Sequence, residues 1–128
     1  KGFIYTRLSN PTIQALENKL AALENGLGAV ALSSGMAAVT TIYTAFLKKG
    51  DHLVSTNAVY GPSRGVMESI FAGFGITSSY VDTSNTEEIR KAIKPNTKML
   101  YLETPANPTI KLTDIKRASQ IAHEHNLL

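Results

Sequence analysis

HLVSTNAVYGPS, from His52 to Ser63, holds a complete change of structure in one short stretch. His52 to Thr56 is apolar and β-branched enough to read as a strand. Ala58 to Pro62 carries a Gly-Pro turn and reads as a loop. Ser63 to Phe74 then reads as a helix that Gly75 ends. Strand, loop and helix in that order form the unit from which parallel sheets are built, because parallel neighbours need a long crossover.

The same alternation extends both ways. Downstream, Ile76 to Val81 reads as a strand. Ser84 to Ile93 reads as a helix, with Ser84 and Glu87 at capping-box spacing. Lys98 to Glu103 is the next strand, a Pro-Ala-Asn-Pro loop follows, and Thr113 to Asn126 is a final helix. Upstream, Met36 to Lys49 reads as a helix with Gly50 past its end, and Gly28 to Leu32 as a short buried strand. Asn10-Pro11-Thr12 opens the first helix: asparagine suits the N-cap and proline the first turn. Ile13, Leu16, Leu20 and Leu23 fall on one face of it, and Asn25-Gly26 stops it. The order αβαβαβαβα predicts an α/β fold with a mostly parallel sheet covered by helices on both faces. The chain opens at Lys1 and closes on Asn126-Leu127-Leu128, where another buried strand would begin. It therefore reads as a piece of a longer protein.

Composition narrows the function classes. The 128 residues suffice for one domain with a core, and 43% hydrophobic with 18% charged residues describes a globular chain. The net charge of +3 is spread over scattered lysines and arginines, with no run longer than Lys48-Lys49, so no nucleic-acid footprint is present. Without cysteine there is no disulfide framework, thiolate nucleophile or cysteine metal site. No metal site is expected. No apolar run approaches a membrane span and no signal peptide is recognisable, so a cytoplasmic protein is expected.

In open parallel sheets ligands gather at the carboxyl ends of the strands. Three loops there carry unusual residues. Ser33-Ser34-Gly35-Met36 opens a helix with small residues, and free N–H groups at such a start can cradle an anion. A tight turn alone would also place glycine there. Tyr60 stands in the second loop beside the Gly-Pro turn, where its ring could stack on a flat ligand or pack on the sheet edge. Glu103-Thr104-Pro105-Ala106-Asn107-Pro108 sets a carboxylate and an amide in a proline-stiffened loop. Such residues also satisfy their own turns. An anion cradle, an aromatic and an amide at one sheet edge suit a flat phosphorylated ligand, for which pyridoxal 5′-phosphate is the candidate.

Tyr5-Thr6-Arg7 with Asn10-Pro11-Thr12, then Ser34-Gly35-Met36, Tyr60-Gly61 and Glu103-Thr104-Pro105-Ala106-Asn107-Pro108, together resemble the Cys/Met-metabolism (trans-sulfuration) family of PLP enzymes. The resemblance covers essentially the whole chain in order. It implies part of the large PLP-binding domain of a fold-type I, aspartate-aminotransferase-like enzyme. Residues 1–11 would be an N-terminal arm and 12–128 a partial PLP-binding domain. It further implies that Tyr5 and Arg7 reach the cofactor phosphate of a neighbouring subunit, while Gly35 and Met36 donate to it within their own. Tyr60 would stack on the pyridine and relay a proton, Asn107 would bond the cofactor's phenolic oxygen, and Glu103 would support the site.

The implied activity is γ-elimination or γ-replacement on a sulfur amino acid or O-acylhomoserine. Cystathionine and methionine γ-lyases and cystathionine γ-synthase have that chemistry. O-acetylhomoserine sulfhydrylase and cystathionine β-lyase are alternatives. An aminotransferase of the same fold, or a non-enzymatic Rossmann-like module, fits less well: the Tyr-x-Arg arm disfavours the first and the lack of GxGxxG the second. The expected partners are a small amino-acid substrate and further copies of the chain, as a dimer sharing active sites and then a tetramer. The family's Schiff-base lysine has a Ser/Thr-rich setting that none of the nine lysines here shares, so residues 1–128 alone are expected to be inactive. Methionine γ-lyases usually carry cysteine where Pro62 stands, which weakens that member of the group.

Overall fold

The computed structural model describes residues 2–128, so Lys1 of the expected arm lies outside the described residues. The chain forms two compact units, one up to Ala38 and one from Val39 to Leu128.

In the first unit, helix α1 (Pro11–Leu23) starts as its sequence demands. The Asn10 side chain accepts hydrogen bonds from the backbone N–H groups of Thr12 and Ile13, and Pro11 occupies the first turn. Asn25, with φ 52°, turns the chain after the helix. The apolar face of Ile13, Leu16, Leu20 and Leu23 is present but exposed. Residues 28–32 do not form the expected buried strand: they have no ladder, and Val30 and Leu32 are exposed. The physical reason is a missing neighbour. A strand exists only by pairing, and the backbone N–H of Ala31 goes instead to the Glu17 carboxylate at 2.8 Å. Helix α2 (Gly35–Phe46) begins in this unit and runs into the next.

The second unit is built on three parallel strands, β1 (His52–Thr56), β2 (Thr77–Val81) and β3 (Thr97–Tyr101), in the order β2-β1-β3. As the alternation of elements implies, both faces are covered. On one face Tyr43 and Leu47 from the α2 segment pack with Leu53, Met67, Phe71, Ile76 and Met99. The Tyr43 ring meets Phe71 and Tyr101 edge-on, each at 5.5 Å between centroids. On the other face Ile89 of α4 (Thr86–Ala92) and Ala118 and Ile121 of α5 (Ile115–Glu124) close over Val81, Leu100 and Leu102. Fully burying a side chain such as Ile121 stabilises by about 1.5–3 kcal/mol. Leu128 exchanges hydrogen bonds with β3, its N–H to Lys98 and its C=O from Leu100, as expected of strand geometry there.

Two further expectations are corrected. The helix after Tyr60 is α3 (Gly61–Val66) only for its first turns, then a π-helical segment Met67–Phe71 and a 3₁₀ turn Ala72–Phe74. Gly65 and Gly73 lower its α propensity. Ser69 also bonds back to the Gly65 carbonyl, which bends helices. Nor does Ser84 form a capping box with Glu87. Asn85 is the N-cap, accepting from the Glu87 N–H, and Ser84 turns its hydroxyl to Asp82. Asparagine outranks serine little as a cap, so the one-residue choice is made by Asp82. Among the described residues no helix is long and apolar enough to cross a membrane, and no cluster of His, Cys, Asp or Glu could hold a metal.

His52 ties the sheet together. It is fully buried at the start of the central strand, with Nδ1 2.8 Å from Thr97 Oγ1 on β3 and Nε2 2.9 Å from Ser79 Oγ on β2. Burial, helped by Lys94, lowers its pKa from the ordinary value. The folded state thus binds this proton less readily than the unfolded chain. Its contribution to stability is complete above the unfolded value near 6.5 and is lost as pH falls below it. The unfolding free energy of the full-length protein is expected to fall as pH drops below about 6.5. His52→Gln should flatten that slope. An unchanged slope in the variant would assign the dependence to other groups.

Candidate active site

The second unit brings two of the singled-out loops together at the carboxyl ends of β1 and β3. After Thr56 the chain turns tightly: Thr56 Oγ1 accepts the Ala58 N–H at 3.2 Å, and the Asn57 N–H reaches the Val81 carbonyl at 2.8 Å. Tyr60 follows with about half of its surface exposed. Its hydroxyl has no hydrogen-bond partner among the described residues, and its ring takes no part in the core. The Tyr60 N–H donates to Glu103 Oε2 at 2.8 Å, across 43 residues of sequence.

Glu103 lies just past β3, and its loop is held by its own backbone. The Ala106 N–H reaches the Lys111 carbonyl at 3.0 Å, and the Ile110 N–H returns to the Ala106 carbonyl at 2.6 Å. The Thr113 N–H donates to Thr104 Oγ1 at 3.0 Å. Both X-Pro bonds, Thr104-Pro105 and Asn107-Pro108, are cis. Ala106 is buried beneath, while Asn107 is exposed at the loop's outer side. No hydrogen bond occupies its side-chain amide among the described residues. An ion pair joins Lys111 to Asp82 at the end of β2. That ammonium, with the Ser84 hydroxyl, holds the Asp82 carboxyl down at about 2, so the pair stays charged at neutral pH. Asp82 and Lys111 were not recognisable as site supports in the sequence. They lie 29 positions apart, and nothing local links them.

The first unit holds the remaining candidates. Tyr5 and Arg7 do come together: the guanidinium carbon lies 5.6 Å from the Tyr5 ring centroid, within cation–π range. Both side chains are exposed. Ser34 caps α2, its hydroxyl accepting the Ala37 N–H at 3.1 Å. Gly35 is the first helical residue, and a Cβ built there would meet nothing within 4 Å. The approach to that helix start is open, and Met36 behind it is half-buried. Within the second unit, an uncommitted amide and a half-exposed aromatic at the strand ends fit a flat, hydrogen-bonding cofactor; within the first, the open glycine start fits an anion. A chain that had closed these groups on itself would fit neither.

A family model described as Cys/Met metabolism PLP-dependent enzyme matches residues 1–128. The chain is 49% identical over 122 residues to an L-methionine gamma-lyase of Fusobacterium nucleatum subsp. nucleatum, covering 95% of this chain and 31% of that protein. It is 46% identical over 127 residues to a cystathionine gamma-lyase of Bacillus subtilis, covering 99% and 33%. A crystal structure of metB from Corynebacterium glutamicum superposes with a TM-score of 0.94 at 43% identity, covering 99% of this chain and 33% of that one. The chain thus spans about a third of the length of the relatives it matches.

Proposed function

The chain belongs to the Cys/Met-metabolism family of PLP-dependent enzymes, a fold-type I family, and from that premise we propose that the full-length protein is a trans-sulfuration enzyme. It acts on a sulfur amino acid or an O-acylhomoserine by γ-elimination or γ-replacement. The observation that carries the reading is the pairing of Tyr60 with Glu103 beside the uncommitted Asn107 amide, at the strand ends where such sheets bind ligands. Residues 1–11 are read as an arm and 12–128 as part of the cofactor-binding domain. The names of the relatives support elimination at the γ-carbon. The sulfhydrylase and β-lyase alternatives form the second reading; Pro62, at the position of the methionine γ-lyase cysteine, weakens that one member and does not choose among the others.

When bound, pyridoxal phosphate supplies an electron sink for charge developing at the substrate's Cα. The chain's own residues then have separate tasks. Gly35 and Met36 hold the phosphate through backbone N–H groups at the start of α2. Tyr60 offers its ring face to the pyridine, and its hydroxyl moves a proton near the substrate. Asn107 donates from its amide to the phenolic oxygen. Tyr5 and Arg7 act on the phosphate in a neighbouring subunit, so the working unit is a dimer that shares its sites, assembled further into a tetramer in the cytoplasm. Lys111 lies in the Asn107 loop but is ion-paired with Asp82, so the cofactor's lysine is sought elsewhere in the full-length protein.

Incubating the loaded full-length enzyme separately with methionine, cystathionine and O-acetylhomoserine plus sulfide tests the assignment. Release of a thiol or cysteine with an α-keto acid and ammonia is the expected result. A new thioether would select γ-replacement within the proposal, whereas homocysteine from O-acetylhomoserine and sulfide without keto acid, or homocysteine with pyruvate from cystathionine, would move the protein to the second reading.

A further inference from the structure

We propose that Glu103 is the positioning residue of Tyr60, acting through the backbone on the direction of the aromatic ring. The inference rests on the reading of Tyr60 as the ring that stacks on the cofactor, and deepens it.

The backbone on both sides of the Tyr60 Cα is held. On the amino side, the N–H donates to Glu103 Oε2 at 2.8 Å. On the carboxyl side, the Tyr60 carbonyl accepts the N–H groups of Ser63 at 2.9 Å and Arg64 at 3.2 Å. Tyr60 sits at the N-cap of α3 with φ −50° and ψ 126°, and its side chain makes no cap bond. The ring is thereby left to the site, and the cap position is secured from outside. Pro62 adds stiffness in the first turn by fixing its own φ. A second tether comes from the same stretch of chain. Ser63 is fully buried and hydrogen-bonds the side chain of Tyr101, two residues before Glu103. The end of β3 thus grips the start of α3 twice, at Ser63 and at Tyr60.

With its backbone fixed, Tyr60 keeps only two side-chain torsions, and the ring has few directions to choose from. An ionised carboxylate is the strongest ordinary acceptor for a backbone N–H and cannot donate in competition. Glutamine at 103 would keep an acceptor oxygen in reach without the charge. A residue that used its charge directly on the cofactor would tolerate neither glutamine nor alanine. A positioning residue tolerates glutamine.

The test uses the full-length protein with pyridoxal phosphate as the probe. Dissociation constants are measured for wild type, Glu103→Ala, Glu103→Gln, Tyr60→Ala and the Glu103→Ala/Tyr60→Ala double variant, alongside crystal structures of the first two. Glu103→Ala is expected to weaken cofactor binding about tenfold when Tyr60 is present, and by less than about twofold when it is absent. Glu103→Gln is expected to stay within about threefold of wild type. The ring in Glu103→Ala should be displaced or spread over several rotamers. If Glu103→Ala does not fold, Glu103→Met, which keeps the bulk without an acceptor, takes its place. An equal loss in both Tyr60 backgrounds, or an unmoved ring, would overturn the proposal. A Tyr60→Ala variant that binds the cofactor as tightly as wild type would instead remove the stacking role, and the ring's position would still decide whether Glu103 directs it.

Discussion

Tyr60→Ala in the full-length protein is expected to lose both cofactor retention and turnover, whereas Tyr60→Phe should keep the cofactor and lose mainly turnover. The two tasks assigned to this side chain need different parts of it. Stacking needs the ring, worth about 0.5–1.5 kcal/mol beyond the area it buries. Proton transfer needs the hydroxyl, and its loss is expected to slow turnover by about 10²–10⁴-fold. The geometry leaves both parts available: the ring is half exposed, and the hydroxyl is not spent on a partner among the described residues. Equilibrium binding of pyridoxal phosphate and steady-state rates for the three proteins separate the tasks. Equal rates for wild type and the phenylalanine variant would leave stacking as the only role.

The other large effect is expected at Arg7. If it serves the phosphate of a neighbouring subunit, Arg7→Ala and a variant without the cofactor's lysine should each be nearly inactive as homodimers. Mixed together, they should regain activity. With random exchange between two-fold-related subunits, about half the dimers are hybrids with one intact site each, so about a quarter of wild-type activity is expected. Arginine suits the task because its planar fork matches phosphate in a bidentate fashion. In the first unit it is exposed and rests over the Tyr5 ring. Absence of recovery despite demonstrated subunit exchange would place Arg7 in its own subunit's site.

The fold was readable where local chemistry decides it. Asn10-Pro11 set the start of α1, and the β-branched run at His52 to Thr56 set the central strand at the expected residues. Residues 28–32 carried as good an apolar run and made no strand. Their pattern describes what such a segment can bury, whereas a ladder depends on a neighbour that the pattern does not contain. The capping error at Ser84 has a similar origin. Ser84 and Asn85 are both good caps, and the choice was made by Asp82, whose carboxylate draws the Ser84 hydroxyl.

The candidate site divides in the same way. Tyr60, Glu103 and Asn107 stand out in the sequence because each falls at a strand's carboxyl end in a stiff loop. The bond that joins Tyr60 to Glu103, and the Asp82–Lys111 pair that steadies the Asn107 loop, are long-range consequences of the β2-β1-β3 strand order. No spacing in the sequence announces them.

A crystal structure of the full-length protein loaded with pyridoxal phosphate tests the central claim most directly. The account predicts the cofactor at the carboxyl ends of β1 and β3, with the Tyr60 ring against the pyridine, the Asn107 amide on the phenolic oxygen and the Tyr60 N–H still held by Glu103. A cofactor seated away from those strand ends, with Tyr60 and Asn107 both out of contact, would contradict it.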